Sequence, residues 1–379
     1  MPSVDPIALA QDLIRRPSVT PADAGAMDVL EAQLARLGFH CRRMRFGEVE
    51  NLYARRGSEG PNLCFAGHTD VVPPGDASAW RTDPFSAELA EGAVWGRGAV
   101  DMKGAIAAFV AAIPEAGSHA GSISLLITGD EEGPARDGTR RVVEALLAEG
   151  ERIDHCIVGE PTSARAPGDT IKVGRRGSLN AWITAEGVQG HVAYPDRAAN
   201  PVPVLIRLLE RLLQRRLDEG YPEFQPSNLE VTELQVGNPA ENVIPPQARA
   251  RLNIRFNPSH TGAALVSWLE SECRAAQAGF KGAFRLEPRI SGEAFYTEHG
   301  PFIDTVAAAV EEVTGRRPER STGGGTSDAR FIRALCPVIE LGLVGTTMHM
   351  VDECAPVEDV RALSRIYARV IDRYFEAGG

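Results

Sequence analysis

NLCFAGHTDVVPPG, residues 62–75, runs from an unbroken apolar segment straight into His68 and Asp70, and then into a turn rich in proline and glycine. A short continuous apolar run bounded by turn residues suits a strand buried on both faces. The pattern returns twice. Ser122–Thr128 leads through Gly129 and Asp130 to Glu131 and Glu132, and His155–Gly159 leads to Glu160. Helical patterns lie between them, at Met102–Ile113 and Thr139–Glu149, and an earlier one over Ala22–Leu37 stops at Gly38. Apolar strands alternating with helices predict an α/β fold with a mixed, mostly parallel sheet flanked by helices.

In an open sheet of this kind, ligands sit beyond the carboxyl ends of the strands. His68, Asp70, Glu131, Glu132 and Glu160 all occupy such ends. Asp101 stands between the turn Gly96-Arg97-Gly98 and a helical pattern, and His349 follows the strand pattern Val338–Leu343. Each has an ordinary alternative. Asp101 alone reads as a helix N-cap, Glu131-Glu132 as a solvated turn, Glu160 as a strand-end charge and a lone His as a surface residue. Together they make the ligand set of a two-metal centre. Nitrogen and oxygen donors without thiolate suit catalytic zinc. The expected arrangement has Asp101 bridging, His68 and Glu160 completing one site, and Glu132 and His349 the other. Asp70 is expected to orient the His68 ring, and Glu131 to serve as general base.

Composition narrows the field. The formal net charge of −11 argues against a nucleic-acid partner, whose phosphates need clustered Lys and Arg. No apolar run is long enough to span a bilayer. The beginning, MPSVDPIALAQDLIRRPSVTP, lacks the basic start and apolar core of a signal peptide and reads as a helix capped by Asp5. The six cysteines are scattered without a C-x-x-C, as expected for free thiols of a cytoplasmic protein.

Beyond about Arg176 the rhythm becomes strand, helix, strand, strand, helix, strand, from Ser178 to Ile290. This is the ferredoxin-like βαββαβ order. The expected division is a catalytic domain of residues 1–177 and 292–379, interrupted by a smaller domain at 178–291.

The segments AGHTDVVPPG (from Ala66), WGRGAVDMKG (from Trp95), TGDEEG (from Thr128), VGEPT (from Val158), ENVIP (from Glu241) and MHMVDE (from Met348) resemble those of the M20 family of zinc aminoacylases and peptidases. The resemblance covers nearly the whole chain. It implies the metal and general-base roles above, with two Zn2+ that Co2+ can replace, and a cis peptide at Asp101–Met102. It also implies that the inserted domain is a lid that pairs two chains as a homodimer. His191 would then reach the partner's active site and stabilise the tetrahedral oxyanion.

GRRGSLNA (from Gly174), GVQGHVAYP (from Gly187) and STGGGTSDARF (from Ser321) point within the family to the branch acting on N-succinyl-LL-2,6-diaminopimelate. Many members of that branch carry an Asn near the position of Gly345. Such a substrate presents three carboxylates, which Arg176 and Arg255 suit by bidentate pairing. Backbone N–H groups of Gly323 and Gly324, beside Thr322, suit an anion. That run lacks the Lys of a phosphate-binding loop. Ser178, Tyr194 and Asn242 are further substrate-contact candidates, from similarity.

Overall fold

The computed structural model describes residues 2–376 and Gly378. The chain forms two compact units. One comprises the residues up to Val173, Thr297–Ser321 and the residues from Ser327 on; the other comprises Gly174–Tyr296 and Thr322–Thr326.

The first unit is built on an eight-stranded sheet ordered His40–Phe46, Val49–Arg56, Ser122–Thr128, Asn62–His68, His155–Val158, Val338–Glu340, Thr170–Lys172, Glu319–Ser321. Its four central strands pair in parallel. The pairs at the Val49–Arg56 end are antiparallel, as is the contact between Val338–Glu340 and Thr170–Lys172. Every residue of Asn62–His68 and Ser122–Thr128 is buried, so both faces are covered. Gly104–Glu115 packs against Pro6–Ile14 and Val357–Glu376, while Ala26–Arg36 and Thr139–Glu149 pack on the strands at the antiparallel end. Phe65 stacks on Phe109 with centroids 4.4 Å apart, and Tyr367 meets both rings edge-on. This aromatic triad locks the strand that ends in His68 onto the helix that follows Asp101.

The expected helix at Met102 begins later. Ala99–Lys103 forms an irregular turn in which Asp101 and Met102 have non-helical dihedrals, and regular helix starts at Gly104. The Asp101–Met102 peptide is cis. Asp101 is therefore not a simple N-cap, because its carboxylate is turned to the site described below.

The second unit is an antiparallel sheet ordered Asn228–Gln235, Gln247–Phe256, Gly177–Glu186, Ala283–Gly292, with helices Pro201–Gln214 and Gly262–Gln277. In chain order this is βαββαβ. Alternation sets its core. Ala248, Ala250, Leu252, Ile254 and Phe256 are buried with Leu179, Ala181, Ile183 and Ala185, under Leu205, Leu208, Leu209, Leu212, Leu265 and Leu269 of the helices. The helix leucines recur at three- and four-residue spacing, which puts them on one face. The short pairing of Gly174–Arg175 with Phe295–Tyr296 ties the entering and leaving chain segments inside this unit. Its edges accordingly lie a few residues outside 178 and 291.

The cysteines are free, and Cys64, Cys156, Cys273 and Cys336 are buried. Among the described residues, no helix is long and apolar enough to cross a membrane.

Candidate metal centre

Strand ends and turns of the first unit bring the seven candidate side chains to one rim. His68 closes its strand, and Glu160 follows His155–Val158 by two residues. Gly342 lies so close beneath that a Cβ there would stand 2.2 Å from the Glu160 carbonyl oxygen, so only glycine admits this approach of two backbones. Asp101 divides its carboxylate between two imidazoles. Oδ1 lies 3.2 Å from His68 Nε2 and Oδ2 lies 3.2 Å from His349 Nε2. His68 Nε2 is also 3.9 Å from Glu160 Oε1, and His349 Nε2 is 2.8 Å from Glu132 Oε1. Two trios result, His68–Asp101–Glu160 and Asp101–Glu132–His349, each with its ligand atoms within 4.8 Å of one another. One imidazole and two carboxylates per trio, with Asp101 common to both, fit a pair of divalent cations.

The electrostatics match a site made for cations. Burial alone would lower the His68 pKa, but Asp101, Asp70 and Glu160 hold it well above the ordinary imidazole value. Hydrogen bonds to Asp101 and Glu132 raise His349 to about 10. Burial would raise Asp101, yet hydrogen bonds from His349 and His68 hold it below the usual carboxylate range. Carboxylates that favour protonated imidazoles in this way would equally favour a cation in the place of those protons. Glu131 is pushed well up by burial and by the carboxylates of Glu160 and Asp328.

Asp70 meets the His68 ring chiefly through its main chain. His68 Nδ1 lies 2.9 Å from the Asp70 carbonyl oxygen and 3.7 Å from Asp70 Oδ1, so the main chain is the closer partner of the ring. The carboxylate instead accepts the Thr20 hydroxyl at 2.6 Å and the backbone N–H groups of Glu131 at 3.2 Å and Glu132 at 3.0 Å. Asp130 accepts the N–H groups of Ala135, Arg136 and Asp137, which fixes the other side of the same loop.

Four residues of this neighbourhood were not among the sequence candidates: Thr20, Arg97, Lys103 and Glu353. Lys103 is fully buried, its Nζ donating to the Arg16 carbonyl at 2.8 Å, and burial brings its ammonium down to about 7. A buried charge looks like a surface charge in sequence. For Arg97, Lys103 and Glu353 the only available signal was their position inside WGRGAVDMKG and MHMVDE, and Thr20 lies in neither. Gly345 opens the turn Gly345–Thr347 and donates its N–H to the Ser163 carbonyl at 3.1 Å.

The substrate-contact candidates lie in the second unit. Ser178 faces Arg255 across paired strands, and Arg255 faces Asn228 on its other side. Arg176 donates to Asn228 Oδ1 at 3.0 Å, and burial together with the nearby Arg176 lowers the Arg255 pKa. Two guanidiniums therefore share one neighbourhood. His191, Tyr194 and Asn242 form another, all exposed: Tyr194 N–H donates to the His191 carbonyl, and Val192 N–H to that of Asn242. In the glycine run, Thr322 donates its hydroxyl to the Glu223 carbonyl and Arg175 donates to that of Gly325, while Gly323 and Gly324 stay exposed.

A sheet rim carrying shared carboxylate–imidazole trios defines a metal-dependent hydrolase. The chain belongs to peptidase family M20/M25/M40, which it matches over residues 64–373. It is 68% identical over 376 residues to the succinyl-diaminopimelate desuccinylase of Phenylobacterium zucineum, covering 98% of this chain and 99% of that protein. It is likewise 68% identical over 375 residues to the enzyme of the same name from Caulobacter vibrioides, covering 99% of this chain and 97% of that protein. A dinuclear metal-binding M20 peptidase from Bacillus subtilis shares the fold, with a TM-score of 0.73 at 17% identity, over 98% of this chain and 97% of that one.

Proposed function

We propose that the chain hydrolyses the amide bond of N-succinyl-LL-2,6-diaminopimelate, releasing succinate and LL-2,6-diaminopimelate for diaminopimelate and lysine synthesis. The observation that carries the chemistry is the split of the Asp101 oxygens, 3.2 Å from His68 on one side and 3.2 Å from His349 on the other, with Glu131 beside Glu132. The 68% identity to succinyl-diaminopimelate desuccinylases carries the substrate.

Zinc is the proposed metal, with cobalt able to replace it, held by His68, Asp101 and Glu160 in one site and by Asp101, Glu132 and His349 in the other. Two such ions would supply Lewis acidity toward the amide carbonyl and a water of near-neutral pKa. Glu131 takes a proton from the attacking water and returns it to the leaving nitrogen. Burial and the neighbouring carboxylates raise its affinity for a proton, which suits a base that must hold that proton between the two transfers. Asp70 acts as an organiser, its carboxylate holding the main chain of Glu131 and Glu132.

Arg176 and Arg255 are assigned to substrate carboxylates, with Ser178, Thr322, Gly323 and Gly324 as further hydrogen-bond donors and Tyr194 and Asn242 as neighbours of His191. His191 is assigned to the oxyanion, supplied across a homodimer formed through the second unit. The edge strands Asn228–Gln235 and Ala283–Gly292 give that unit unpaired backbone for such an association.

The decisive assay is amine release by zinc-loaded protein from N-succinyl-LL-2,6-diaminopimelate, with N-acetylornithine in parallel. Rapid release from the first alone is expected. Preference for the second would move the substrate to another branch of the family.

A further inference from the structure

Glu353, four residues beyond His349, is fully buried, and its carboxylate is surrounded by donors. Oε2 accepts the Arg97 guanidinium at 2.8 Å and the Gly98 N–H at 3.0 Å. Oε1 accepts the N–H groups of Val100 at 2.9 Å and Asp101 at 3.2 Å. The Glu353 carbonyl takes the Gly96 N–H at 2.9 Å. Arg97, 3% exposed and stacked 5.1 Å over the Trp80 ring, reaches onward to the carbonyl oxygens of Met350 at 3.1 Å and His349 at 3.4 Å. Every hydrogen bond of this knot joins the segment 96–101 to the segment 349–353. These are the segments that carry Asp101 and His349.

Both segments need holding. His349 has φ +62°, a left-handed backbone that side chains other than glycine rarely adopt. Such conformations persist only where surrounding contacts over-determine them. The two Arg97 bonds to the His349 and Met350 carbonyls supply that constraint. On the other segment Gly98 has φ +86°, and a Cβ there would stand 2.8 Å from Val71 Cγ1. A buried ion pair adds little net stability over apolar groups of the same shape, so stability alone is a poor account of the pair. Its hydrogen bonds fix geometry.

We infer that Arg97 and Glu353 are positioning residues of the metal centre: the pair sets where His349 stands relative to Asp101, and thereby the affinity of the Asp101–Glu132–His349 site. The inference rests on the two-metal reading above. Outer partners of this kind commonly change metal affinity by about 10- to 100-fold when removed. The His349 site bears the larger loss, because the knot holds both of its segments. The His68–Glu160 site shares only Asp101 with the knot.

The test uses metal-free full-length protein, titrated calorimetrically with zinc and, separately, with cobalt followed by visible absorption. Wild type takes two ions. Glu353→Gln and Arg97→Met are expected to keep one tight ion, to bind the second about 10- to 100-fold more weakly, and to show an altered spectrum for the second cobalt. Arg97→Lys should restore part of the loss. Two ions bound with wild-type affinities and spectra, whatever the melting temperature, would overturn the inference. If Glu353→Gln does not fold, the two Arg97 variants decide, since Glu353 keeps its three amide donors in them. Fewer than two ions on wild type overturns the two-metal reading itself.

Discussion

The Thr20 hydroxyl donates to Asp70 Oδ2 across 2.6 Å, and the same Asp70 carboxylate accepts the backbone N–H groups of Glu131 and Glu132. The N-terminal segment thus braces the loop that carries the proposed base. Thr20→Val keeps the shape and removes the donor from a buried charged acceptor, at a cost of about 1.5–3 kcal/mol. Turnover should fall by about tenfold or more if that loop moves, with Thr20→Ser recovering most of it. Steady-state kinetics with thermal melts of both variants check this. A Thr20→Val enzyme with wild-type kcat would show that Asp70 needs no brace.

Glu131→Gln removes the proton carrier and retains the size of the side chain. The expected loss of kcat is about 10²- to 10⁴-fold, the range for a positioned acid–base group. Zinc stoichiometry should stay at two, because Glu131 belongs to neither trio. Near-normal turnover with metal bound would remove Glu131 from the mechanism.

The rim was legible in sequence because its residues stand at strand ends, where apolar runs stop at a His or an acid. Such a stop put His68 and Glu160 at the rim, and their joint occurrence with the other acids gave them a proposed role. The second unit was legible from alternation, as in Ala248, Ala250, Leu252, Ile254 and Phe256. Other parts left no such trace. His40–Phe46 and Val49–Arg56 form a paired hairpin, yet HCRRMRF shows no apolar period, because Arg43 spends its charge on Asp28 and Glu31. Thr170–Lys172 and Glu319–Ser321 are too short for any period. The start of the helix after Asp101 was misplaced because local propensity cannot register that Asp101 and Met102 leave helical geometry to point a carboxylate at the site. Arg97 and Glu353 were missed for the opposite reason: partners 256 residues apart in the chain leave no local pattern.

Metal binding should release protons. The metal-free His349 ring titrates at about 10, so at neutral pH a cation must displace its proton. Apparent zinc affinity should therefore rise as pH rises through the neutral range. Calorimetry in two buffers of different ionisation enthalpy should give a positive proton count. The metal-free protein carries the matching stability term. A raised imidazole pKa stabilises fully below about 6.5, the usual imidazole value, and that contribution is lost as pH climbs toward 10. A zinc affinity independent of pH would contradict the proton-filled site.

Arg255 and Arg176 together make the carboxylate-recognition proposal specific. Arg255→Met should raise KM by about 10- to 100-fold, the worth of one charge-assisted pair, with a smaller change in kcat. Arg255→Lys should recover only part, since an ammonium lacks the planar fork. An unchanged KM for the succinylated substrate would free Arg255 from that role.

His191 offers the sharpest test of the dimer. His191→Ala and Glu131→Gln should each be poorly active alone. If His191 serves the partner's centre, mixing the two variants under exchange restores activity. The Glu131→Gln chain then lends its His191 to a partner whose Glu131 is intact. Random pairing makes half of the dimers mixed, each with one complete centre, so recovery should approach about a quarter of wild type for a twofold assembly. If His191 instead serves its own chain, no pairing unites an intact His191 with an intact Glu131 in one centre. Mixing then recovers nothing, and the oxyanion role across the dimer falls.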